Sequence, residues 1–134
     1  MRFMGQNILA IVVAAIVIYA IEFVIFALLI PGPQYEHMTG ISDAQMTAGM
    51  SRMPFGAIMP ILAAIGISLA VKWRNAPGLM AGVQTGALLG LVFGFSISMY
   101  QYVYGPATEM WLLVSALHFV IAYGVAGAIL GAWK

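Results

Sequence analysis

The chain has 134 residues, 63% of them hydrophobic and 7% charged, with a formal net charge of +1 and no cysteine. A water-soluble domain of this size needs about a quarter of its residues charged to stay solvated, so a soluble globule is excluded. The near-neutral charge points away from a nucleic-acid partner, which requires clustered Lys and Arg, and the lack of cysteine excludes disulfides, thiolate nucleophiles and Cys-based metal sites.

Crossing a hydrocarbon slab of ~30 Å takes about 20 residues per helix, so the chain reads as one transmembrane domain over residues 1–134, an all-α bundle of four membrane helices. The first helix is expected over about 8–30, interrupted only by Tyr19 and Glu22, and it stops where Pro31-Gly32-Pro33 cannot continue it. Its length, and the lack of a small-x-small signature before Pro31, make it a retained helix and not a signal peptide. An outer loop over 31–52 follows. There Ser42-Asp43-Ala44-Gln45 has the form of a capping box, in which a hydroxyl and an amide satisfy each other's backbone N–H groups, and Met46, Met50 and Met53 follow at helical spacing. This pattern predicts a short amphipathic surface helix; the plainer reading is that the methionines lengthen the second span.

The second span is expected over about 53–71, ending at Lys72-Trp73-Arg74, with Pro60 freeing a carbonyl inside it. The turn Asn75-Ala76-Pro77-Gly78 is short enough to make the second and third spans antiparallel neighbours. The third span is expected over about 79–102 and the fourth over about 108–133, with Thr108 and Glu109 suited to its first turn. Four spans put Arg2, Lys72, Arg74 and Lys134 on one side. Basic residues are retained on the cytoplasmic face, so both termini are expected to be cytoplasmic in a multi-pass inner (plasma) membrane protein.

Gly82, Gly86, Gly90 and Gly94 repeat every fourth residue, which makes one face of the third span a groove without side chains. Gly124, Gly127 and Gly131 give the fourth span a similar face, and Gly56, Ala63 and Gly66 the second. In lipid the hydrophobic effect gives little drive for association, so such faces work by letting backbones approach to van der Waals contact. They pack either within the bundle or against a second copy or a larger membrane complex.

Glu22 is the one carboxylate inside a span, and an ionised carboxylate in hydrocarbon costs several kcal/mol unless it is paired, neutral or wet. At 1.5 Å per residue it lies roughly 12 Å deep, and His118 lies at a similar depth in the fourth span. A Glu22–His118 hydrogen bond is therefore possible, with Tyr19, Ser96, Ser98, Ser115 and Tyr123 as further members of a buried polar site. Such a pair can relay protons, bind a cation or hold a small polar ligand, or it can simply fix helix register. Two donors are too few for a zinc site, and no phosphate-binding loop, nucleophile elbow or dinucleotide fingerprint is present, so neither a cofactor nor an enzymatic activity is expected.

The run Asn7-Ile8-Leu9-Ala10-Ile11-Val12-Val13-Ala14-Ala15, the Pro-containing loop with its Met-rich segment, the glycine-rich third span and the ending Gly127-Ala128-Ile129-Leu130-Gly131-Ala132-Trp133 together resemble a bacterial family of four-helix membrane proteins, domain of unknown function seventeen sixty-one. Where that family carries Trp-Tyr-Ser-Pro late in the first helix, this chain has Glu22-Phe23 and later Pro31. The resemblance implies a four-span fold and supplies no catalytic residues.

The favoured reading is a non-enzymatic interaction or accessory subunit that packs through glycine-rich helices as a homo-oligomer or within a larger complex. The alternative is a small transporter or ligand-binding protein centred on Glu22 and His118. A membrane enzyme acting on lipid or quinone ranks third.

Overall fold

The computed structural model describes residues 2–3, 6–75 and 77–133; Ala76 of the expected turn, Lys134 and the side chain of Arg2 lie outside the described residues. Two short strands, Arg2–Phe3 (β1) and Gln6–Asn7 (β2), pair antiparallel ahead of the first helix. The Asn7 side chain then accepts from the Leu9 and Ala10 N–H groups and so caps helix α1, Ile8–Leu29. Helix α2, Gly32–Thr39, helix α3, Asp43–Trp73, helix α4, Leu79–Tyr104, and helix α5, Glu109–Ala132, complete the chain. Helices α1, α3, α4 and α5 are each long and apolar enough to cross a membrane. Their outward faces, which include Leu9, Ile16, Leu28, Leu113 and Leu117, are apolar and suited to contact with lipid.

The loop differs from expectation in one respect. The capping box forms, with the Ser42 N–H donating to Gln45 Oε1 at 2.9 Å and the Gln45 N–H to Ser42 Oγ at 3.3 Å, but the helix it starts runs on without a break into the second span. The methionine segment therefore lengthens that span, and the separate short helix is α2. The physical reason lies in the prolines. Pro54 and Pro60 have no N–H to give, so the chain winds as a tighter 3-10 helix over Met50–Ala57 instead of breaking. Helix α2 begins at Pro31 and ends at Gly40, whose φ of 69° favours glycine; a Cβ there would also lie 2.5 Å from Pro106 Cβ.

Helix α5 occupies the centre and touches α1, α3 and α4. Small and branched residues of three helices make the core: Ala10, Ala14 and Ile18 of α1, Ala64 and Ile67 of α3, and Ala122 and Ala126 of α5. Helix α4 is attached differently. A Cβ built on Gly82 would collide with the carbonyl oxygen of Gly127, one on Gly86 with that of Tyr123, and one on Gly90 with that of Phe119. From the other side, a Cβ on Gly127 would meet the Gly82 carbonyl, and one on Gly131 would lie 2.5 Å from the Gly78 oxygen. Gly94 faces the Phe119 ring, whereas Gly124 has room, its nearest neighbour being Ala87 Cβ at 3.6 Å. The Gly78 N–H donates to Gly131 O at 2.8 Å and fastens the turn between α3 and α4 to the end of α5. Arg74 also donates to Thr85 Oγ1 at 2.9 Å, which joins α3 to α4. On α3, Gly56 and Gly66 have nothing within 4 Å.

These distances separate two glycines of the same helix pair, Gly86 on α4 and Gly124 on α5. Gly86→Leu is expected to destabilise the bundle by about 3 kcal/mol, because the clash is with a backbone carbonyl that has nowhere to move. Gly124→Ala should be neutral or stabilising by up to about 1 kcal/mol through helix propensity alone. Reversible unfolding in mixed detergent micelles measures both, and equal effects would contradict the packing described.

Candidate functional site

The final turns of α1 determine where the polar residues point. Tyr19, Glu22 and Phe26 follow at spacings of three and four and so share one helix face. Beyond Phe23 the helix opens into π winding over Val24–Leu29, a geometry that often marks functional positions. Glu22, Phe26 and Ala27 of α1 face Gly32 and Tyr35 of α2 and Met46, Met53 and Met59 of α3 across an open cleft of about 470 Å³. Its lining also includes Tyr19 and Phe23, and it contains no Lys, Arg or His. Helix α2 is held over this end of the bundle by the Met38 carbonyl, which accepts from both the Thr108 N–H at 3.0 Å and Thr108 Oγ1 at 3.2 Å. Thr108 thus anchors α2 and makes no side-chain cap on its own helix.

The Glu22 carboxyl accepts no hydrogen bond from His118 among the described residues. His118 is only 4% exposed, and its Nε2 is buried with no hydrogen-bond partner. The Phe26 ring packs edge-on against the imidazole with centroids 5.1 Å apart, and Phe119 lies 4.8 Å away on the other side. Ser115 Oγ and Trp111 Nε1 are buried without partners as well, and residues 111, 115 and 118 lie on one face of α5. Phe26 also packs on Trp111 at 5.7 Å and on Tyr35 at 6.3 Å. One aromatic ring therefore stands between the cleft and an unsatisfied polar stripe.

The remaining expected members divide between the cleft and the rest of the bundle. Tyr19 lines the cleft with Glu22. Tyr123 packs edge-on against Phe119 at 5.4 Å. Ser98 is buried but donates to Gly94 O of its own helix at 2.9 Å, and Ser96 is exposed. Residues that the sequence reading missed are Phe26, Tyr35 and the methionines 46, 53 and 59. The helical spacing from Glu22 to Phe26 was a usable signal for the first, whereas Tyr35 reaches the site only because α2 folds back over it. Among the described residues no three His, Cys, Asp or Glu side chains converge as a metal site would require.

Burial pushes the Tyr35 phenol above its ordinary pKa, and the Glu22 charge adds to the shift, so the hydroxyl stays protonated and available as a donor into the cleft.

No family model matches the chain, nor does any curated protein or any solved structure. The chain has four long apolar helices, as a small four-span membrane protein has.

Replacing Glu22 with Gln removes the charge but not the burial. The Tyr35 phenol is then expected to titrate lower than in the parent while staying above an exposed tyrosine. Carbon-13 labelling of the tyrosine ζ position follows this directly, and an unmoved titration would show that no charge at Glu22 reaches Tyr35.

Proposed function

We propose that the protein is a non-enzymatic ligand-binding membrane protein, a small transporter or carrier, whose site is the cleft at Glu22. The observation that carries this reading is the position of Glu22, a carboxylate well inside its span, whereas Asp43 and Glu109 stand at the first residues of theirs. Glu22 opens onto a cleft of about 470 Å³ lined by aromatic and thioether side chains, with no basic residue to neutralise it. That volume lies within the range of small-molecule pockets, which are mostly apolar with a few polar groups that fix orientation. His118 lies behind the Phe26 ring that packs on it, outside the lining of the cleft.

A second reading, an interaction or accessory subunit, keeps one supporting observation. The glycines of α4 are already filled by α5, but Gly66 of α3 faces open space and would accept a second copy or another membrane chain, whereas Gly56 lines the Glu22 cleft. An inner-membrane placement with both termini cytoplasmic is supported by the basic residues Lys72 and Arg74 at the end of α3, together with Arg2 and Lys134.

Met59→Trp should fill the cleft and abolish ligand retention while leaving the unfolding transition within about 1 kcal/mol of the parent, since the ring enters existing space. Native mass spectrometry of the gently extracted particle is the test. A small molecule that accompanies the parent and is lost in Met59→Trp supports the ligand reading. A ligand-free particle with a defined extra chain favours the subunit reading instead.

A further inference from the structure

Resting on the ligand-binding reading above, we infer that the Glu22 cleft takes a lipophilic organic monocation, of the quaternary ammonium or phosphonium kind. Glu22 supplies the only formal charge in the lining, and no Lys, Arg or His there can offset it. A cation stabilises an ionised carboxylate at such a position, and the lining supplies none from the chain itself.

The rest of the lining selects among cations. Tyr19, Phe23, Phe26 and Tyr35 add four aromatic side chains to the lining that holds Glu22, the kind of surroundings in which quaternary cations are held by ring quadrupoles. Met46, Met53 and Met59 add flexible, polarizable walls that adapt to bulky apolar groups. A hard inorganic ion is a poor fit, because it needs six or so oxygen ligands and the lining offers one carboxylate and two phenols. Copper(I) prefers thioethers, but helical rise separates Met46 from Met53 by roughly 10 Å, and Met59 lies about as far again, too wide a spread for three sulfurs on one ion. A zwitterionic lipid headgroup shares the quaternary ammonium chemistry. Its phosphate, however, would find no basic partner in the lining, which favours a free monocation.

The test is equilibrium binding of radiolabelled tetraphenylphosphonium to the purified full chain in maltoside detergent. Neutral triphenylphosphine oxide and dodecylphosphocholine serve as competitors. The parent should bind the phosphonium, Glu22→Gln should bind it about tenfold more weakly or worse, and Glu22→Asp, which keeps the charge, should retain most of the affinity. Neither competitor should displace it at matched concentration. If the phosphine oxide competes equally and Glu22→Gln binds like the parent, the cation class is wrong while the cleft still binds ligand. Displacement by dodecylphosphocholine would overturn the free cation in favour of a lipid headgroup. If the phosphonium does not bind the parent at all, the assignment fails, and the mass of a co-purified molecule decides separately whether the ligand reading survives.

Discussion

Backbone lies directly on backbone where Gly82, Gly86 and Gly90 cross Gly127, Tyr123 and Phe119, and the rest of the bundle is arranged around that contact. In a bilayer, burying a leucine against another helix gains little over leaving it in lipid, so close approach and the dispersion it allows must hold the helices together. Glycine makes this approach possible at the cost of helix propensity. Because α4 is clasped this way, α5 has its other faces free for the alanine-rich core shared with α1 and α3. One helix thus carries two kinds of packing.

That division of labour sets where chemistry can occur. At the end bearing the turn between α3 and α4, the helices are tied by Gly78 to Gly131 and by Arg74 to Thr85. At the other end α2 is tied to α5 through the Met38 carbonyl, and α1 opens into π winding. The cleft forms at this end, between α1, α2 and the start of α3. Phe26 joins α1, α2 and α5 there, since it contacts Tyr35, Trp111 and His118 at once.

The number of spans, their order and the glycine repeat were legible because membrane helices announce themselves by length and because a period of four glycines is visible without a structure. The capping box at Ser42 was legible for the same local reason. What could not be read was which segment of the loop would leave the span. Helical spacing of Met46, Met50 and Met53 fits a surface helix and an extended span equally well, and only the tolerance of 3-10 winding for Pro54 separates them. Matching depth brought Glu22 and His118 together on paper, but depth carries no information about rotation around the helix axis, and Phe26 occupies the intervening position. Tyr35 was invisible because its proximity to Glu22 depends on how α2 folds back.

Helix α3 is 31 residues long, and even at the α-helical rise it measures roughly 45 Å against a hydrocarbon thickness of about 30 Å. A rod that exceeds its slab must tilt, or carry its first turns out among the headgroups. Those first turns are the ones that bring Met46 and Met53 to the cleft. The wall of the cleft is therefore set at a depth that the host bilayer helps to choose, and a change in lipid chain length reaches Glu22 without altering any residue of the protein.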